Sequence, residues 1–195
     1  MASEPIIEDG PTLPAWAVRL RERYVTGASS MFVLHGNVHD LVPFKDGFLP
    51  LEEFLAAMLG RTKDTVLLYD VASGLRFAHK EMEAPFRLAV NARRLLDRGA
   101  DLPTALPRDP YRLFPYLETF LRDSSQHGAF VLTYAETVCP NGDISFMGEQ
   151  DRAMRVTLQR WASDPSMLAT DNIIVLVTEN LADLDFPLGL RSWRR

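Results

Sequence analysis

Asn172-Ile173-Ile174-Val175-Leu176-Val177-Thr178-Glu179-Asn180-Leu181-Ala182-Asp183-Leu184-Asp185 decides the fold. Ile173 to Val177 is unbroken by any polar residue, so it does not alternate as a half-exposed strand would. It is too short for a buried helix. A strand of a parallel sheet, covered on both faces, fits it. The run stops at polar Thr178, Glu179 and Asn180. In open α/β sheets ligands gather off the carboxyl ends of the strands, which makes this exit a candidate site.

A second run, Ala129-Phe130-Val131-Leu132-Thr133-Tyr134-Ala135-Glu136, has the same form and also ends in a carboxylate. A helical pattern through Met154, Leu158 and Trp161 joins the two, which reads as a right-handed βαβ crossover. From about Gly128 to Leu188 the chain resembles the core of an AAA+ ATPase, a branch of the P-loop NTPases. In that family a strand ending in acidic residues leads through a helix to a strand ending in a polar sensor residue. Here Val175 to Asn180 reads V-L-V-T-E-N, followed by Asp183-Leu184-Asp185-Phe186-Pro187-Leu188.

Further runs complete the pattern. Met31 to His35 and Thr65 to Asp70 read as buried strands. Trp16, Leu20 and Tyr24 form one helical stripe, and Leu51, Phe54, Leu55, Met58 and Leu59 another. Glu81 to Arg98 reads as a helix with Pro85 in its first turn, and a further helix is predicted to begin near Pro115. Leu75-Arg76-Phe77 reads as a short return extension after Thr65 to Asp70. The architecture expected is an α/β parallel sheet with helices on both faces.

The resemblance implies the order: first run beside the fourth, then the third, then the second. It also implies a fifth strand beyond the first. Gly189 to Arg195 does not read as one, so the core is expected to be incomplete at its C-terminus. Met31 to His35 is then an exposed edge, open to self-association or strand addition. The expected divisions are a loose terminus over residues 1–12, the α/β domain over 13–188 and a basic tail over 189–195.

The chain has 195 residues, 47% of them hydrophobic, with a net charge of -5. That suffices for one full core and offers no basic excess for a nucleic-acid platform. Its single cysteine, Cys139, excludes an internal disulfide and suits a reducing compartment. No signal-peptide pattern opens the chain and no apolar run reaches spanning length, so a cytoplasmic location is expected.

The sharpest feature is a missing motif. A P-loop needs G-x-x-x-x-G-K-[ST] after its first strand: backbone N–H groups close on phosphates, lysine neutralises charge and the hydroxyl holds magnesium. After Leu34 this chain reads His35-Gly36-Asn37-Val38-His39-Asp40-Leu41-Val42-Pro43-Phe44-Lys45. Gly36 and Asn37 would be the remnant of the phosphate loop, or an ordinary strand-exit turn. Glu136 matches the catalytic glutamate of the family, or is a polar residue capping the exit loop, while Ala135 stands where the family's magnesium-binding Asp should be. Asn180 matches the sensor, or bonds the neighbouring turn. His35, His39, Asp40 and His79 lack the spacing of a metal site, and Cys139 has no base at an interpretable spacing.

The family includes tandem ATPases of bacteria and plastids whose amino-terminal half has lost its P-loop, and the chain resembles such a half. The role this implies is regulatory or scaffolding, with a catalytic AAA+ domain or like subunits as partner. ATP and magnesium are the cofactors the resemblance implies. Two alternatives stay open: an active ATPase with an atypical phosphate loop using Asn37, Lys45 or Lys63, and a plain protein-interaction domain.

Overall fold

The computed structural model describes residues 13–185 and 192–194. The first half of the chain forms α1 (Ala15–Val25), β1 (Met31–His35), β2 (Val42–Phe44), β3 (Gly47–Leu49), α2 (Leu51–Leu59), β4 (Thr65–Asp70), β5 (Gly74–Phe77) and α3 (Glu83–Leu96). The second half forms α4 (Pro110–Leu121), β6 (Gly128–Leu132), α5 (Glu149–Ser163), α6 (Pro165–Leu168), β7 (Ile173–Thr178) and β8 (Ser192–Arg194). One sheet runs β5-β4-β6-β7-β1-β8, and β2 and β3 form a separate hairpin. All neighbours in the large sheet are parallel except β5, which turns back antiparallel on β4. The order β4-β6-β7-β1 is the one the AAA+ resemblance implies.

The unbroken apolar runs are explained by the two faces of this sheet. Phe32, Leu34, Val66, Leu68, Ala129, Val131, Ile173, Val175 and Val177 point into one core with α1 and α2. Met31, Val33, Leu67, Tyr69, Phe130, Leu132, Ile174 and Leu176 point into the other, with α3, α4 and α5. Successive residues of a strand alternate between faces, so both sets must be apolar when helices cover both.

Four expectations change. The third run ends as a strand at Leu132. Tyr134 then takes a left-handed backbone (φ 53°) and Ala135–Thr137 forms a 3-10 turn, so Glu136 lies beyond the strand and not at its end. The helix expected near Pro115 begins at Pro110, capped by the Asp109 carboxylate, which accepts from the Tyr111 N–H at 3.0 Å. Leu113, Phe114, Leu117, Phe120 and Leu121 bury one face of it, and that burial outweighs the hydrogen bond Pro115 cannot donate. The β2–β3 hairpin, turned at Lys45 (φ 51°), was not expected between β1 and α2.

The fourth change concerns the edge. Ser192–Arg194 pairs in parallel with Val33, Leu34 and His35, so a strand does lie on the far side of β1, and β1 is not the exposed edge predicted. The register needs no long run: three residues suffice once β1 offers a template. The expected loose terminus over 1–12 lies outside the described residues. Among the described residues no helix is long and apolar enough to cross a membrane.

Candidate functional site

A cleft of about 330 Å³ opens where β1, β7, β6 and β4 end, lined by Val38 and His39 after β1, Thr178 and Glu179 at the end of β7, Thr133, Tyr134 and Glu136 after β6, and Asp70 of β4. The first turn of α2 closes it with Leu51 and Glu52. This is the strand-exit position expected for a ligand in a parallel sheet.

Its charge is dominated by carboxylates. Arg76 of β5 reaches over β4 and bridges two of them, donating to Glu52 at 2.7 and 2.9 Å and to Asp70 at 2.9 Å. The Asp70 carboxyl is pushed up by burial, but hydrogen bonds from Ser73 and the Arg76 charge outweigh this and lower it. Glu179 has His39 at 3.8 Å, beyond hydrogen-bond reach. Glu136 Oε2 is buried and has no hydrogen-bond partner among the described residues. No lysine lines the cleft among the described residues.

The segment leaving β1 uses its own donors. Gly36, at φ 102°, takes a backbone that suits glycine. Its N–H donates to the Glu179 carbonyl at 2.9 Å, Val38 N–H to the Gly36 carbonyl at 2.7 Å, and Asp40 N–H to the Asn37 carbonyl at 3.3 Å. Gly36 and Asn37 thus precede the cleft wall made by Val38 and His39. The side chain of Asn180 caps the 3-10 turn Leu181–Asp183, its Oδ1 accepting from Ala182 N–H at 3.1 Å. The pattern G-x-x-x-x-G-K-[ST] occurs nowhere in the sequence.

The structure therefore brings Glu136 to the cleft beside Glu179, Glu52 and Asp70, and leaves Asn180 in a turn. Glu52, Asp70 and Arg76 were not singled out from sequence. One signal was available for Asp70: it closes an apolar run as Glu179 does. Lys63, a candidate phosphate ligand, lies at the opposite edge of the sheet, before β4. Its side chain is 3% exposed and bound to Asp171. Lys45 sits at the hairpin turn, 5.6 Å from the Phe44 ring centroid. Cys139 is buried, its Sγ donating to the Asp185 carbonyl at 3.1 Å. Among the described residues no group of His, Cys, Asp and Glu is placed to hold a metal ion.

No curated protein matches the sequence. A chain in the structure of the E. coli MS115-1 HORMA:CdnC:Trip13 complex is similar at 19% identity with a TM-score of 0.42, over 86% of this chain and 47% of that one. This chain thus spans about half the length of that one. A family model described as the N-terminal Rossmann-like domain of AAA+ chaperones matches residues 7–192. With that match covering nearly all of a sheet in AAA+ order, the chain belongs to the family of AAA+ chaperone N-terminal Rossmann-like domains.

Proposed function

We propose that this chain is a non-catalytic, ATPase-like domain that regulates or scaffolds an AAA+ ATPase by docking on its catalytic domain, as the degenerate amino-terminal half of a tandem ATPase would. The observation that carries this reading is the strand exit of β1. A triphosphate with magnesium needs convergent backbone donors, a lysine and a hydroxyl there, and a carboxylate pair at the exit of β6, two strands away. Here three of the N–H groups between Gly36 and Asp40 are bonded to carbonyls of the protein. The surrounding side chains include four carboxylates: Glu52, Asp70, Glu136 and Glu179. Carboxylates close to phosphate oxygens repel them. Magnesium–ATP, the cofactor of the family, does not suit these residues, and no catalytic step is assigned to Glu136 or Asn180.

Calorimetric titration of the chain with magnesium–ATP tests the first half of this reading. No saturable heat is expected at millimolar nucleotide, and tight saturable binding would overturn it. Docking is tested by adding the chain to a catalytic AAA+ domain produced from the same gene or operon and measuring that domain's ATP turnover. A changed rate or nucleotide affinity is expected, and an unchanged profile at saturating chain would remove the regulatory role.

A further inference from the structure

The cleft that does not suit a triphosphate has the opposite complementarity. Glu136 presents a buried carboxylate oxygen with no partner among the described residues. A buried acceptor left unsatisfied costs roughly 1–3 kcal/mol, more when charged; that oxygen is closed to an outside donor, but Glu136 is half-buried and lines the cleft, so a cation entering the cleft would offset part of the cost. Glu179 is exposed, and its neighbour His39 is too distant for a hydrogen bond. Arg76 is already shared between Glu52 and Asp70. The volume, about 330 Å³, admits a long amino-acid side chain.

Apolar side chains stand exposed around the same end of the sheet. The segment from β1 to α2 and the segment from β6 to α5 each leave the carboxyl end of a parallel strand and return to the start of a helix that packs back along the sheet. The first exposes Leu41 and Phe48; the second exposes Tyr134, Ile144 and Phe146, the last of these 90% exposed. Tyr134 also lines the cleft. Of these, Tyr134 stands exposed beside the cleft carboxylates, and an exposed aromatic group next to charge is part of the composition of a protein-docking surface.

We propose that this cleft and its apolar rim dock a basic, apolar segment of a partner protein, with a lysine or arginine side chain entering between the carboxylates of Glu136 and Glu179 and apolar residues meeting Tyr134 and Phe146. This rests on the non-catalytic reading, because a cleft holding magnesium–ATP would be closed to such a segment. It specifies the partner's chemistry: a cationic side chain with apolar residues beside it. Charge complementarity steers the encounter and selects against acidic partners, and the rim supplies contact area.

The test uses two labelled peptides of equal length, an Arg–Leu repeat and a Glu–Leu repeat, titrated with the whole chain and read by fluorescence anisotropy. The Arg–Leu peptide should bind at least about tenfold more tightly, a difference of about 1.4 kcal/mol, and lose affinity as salt rises. Glu136→Gln combined with Glu179→Gln should remove most of that preference. Phe146→Ser should weaken binding of the Arg–Leu peptide without changing its salt dependence. Asp64→Asn, which removes one negative charge at the opposite end of the strands, should change nothing. Circular dichroism melts establish that each variant is folded. Equal binding of both peptides, no binding of either, or an equal loss in Asp64→Asn would overturn the proposal. Magnesium–ATP titrated in parallel separates the two readings. Nucleotide binding defeats the non-catalytic assignment, whereas silence of both nucleotide and peptide defeats the docking surface alone.

Discussion

Lys63 is the most buried charged residue among the described residues. Its ammonium donates to Tyr24 Oη at 2.5 Å and to the Asp171 carbonyl at 2.7 Å, and lies 2.8 Å from Asp171 Oδ1. Tyr24 also donates to Asp171, and His127 Nδ1 is 2.8 Å from its other oxygen. Burial pushes the Asp171 carboxyl up, but hydrogen bonds from Lys63, Tyr24 and His127 outweigh it and hold the group well below the usual carboxylate range. Because folding lowers this pKa, the stability it contributes is fully present above the unfolded value of about 3.9 and is lost as pH falls through the folded one. Lys63→Met should destabilise the chain by about 1–3 kcal/mol, less than a fully buried pair because Asp171 is half-exposed. Urea melts at neutral pH measure this, and Asp171→Asn should flatten the loss of stability as pH falls below about 4. Cys139 gives a second check. Burial, with the Asp185 charge nearby, pushes its thiol up to about 12, so it should resist alkylation at pH 8 until the chain is unfolded. None of the Lys63 network was legible in sequence: its partners lie 39 and 108 positions away, and in sequence Lys63 is only a loop lysine. The isolation of Cys139 was legible, because no base stands at a useful spacing.

Elements were read most securely where composition alone decides them. The runs of β1, β4 and β7 are apolar at every core position, so both the strands and the two-faced burial follow from hydrophobicity. Tertiary packing decides the cases that sequence rules miss. Pro115 was expected to bar a continuous helix, yet α4 runs through it, because five side chains of the helix are buried on one face. Pro115 itself is exposed and supplies no N–H to the carbonyl of Tyr111. Pro115→Ala should therefore stabilise the chain by about 1–3 kcal/mol, seen as a raised thermal midpoint. An unchanged or lowered midpoint would mean that ring packing or chain stiffness outweighs the missing bond. Sequence gave no warning of β8 either, since a three-residue strand at an edge needs a template more than a pattern. Deleting residues 189–195 should expose the β1 edge, reduce amide protection at Val33 to His35 and promote self-association in sedimentation runs. Unchanged exchange would contradict the pairing.

At the scale of the molecule, the sheet order places the exits of all its strands but β5 at one end of the sheet, where Asp70, Glu136 and Glu179 line the cleft. The AAA+ sheet was legible from four runs and one βαβ unit. The cleft was legible only in part. Glu136 could be picked out, but Glu52 and Arg76 come from α2 and β5 and meet only in the folded sheet. Asn180 matched a sensor by position, yet its amide caps a turn. The absence of the phosphate-loop motif was plain from residues 35–45 alone, and the N–H groups of Gly36, Val38 and Asp40 are bonded to carbonyls of the chain. Losing one preorganised charge-stabilising group costs an active site about 3–4 kcal/mol, or a hundredfold or more in rate, and here residues 36–44 hold no lysine, serine or threonine and Ala135 stands at the motif position of the aspartate. The most direct measurement is phosphate release by the purified chain with ATP and magnesium, beside Glu136→Gln and Asn180→Ala. A rate indistinguishable from background in all three is the predicted result; turnover by the parent chain that both substitutions abolish would contradict the account.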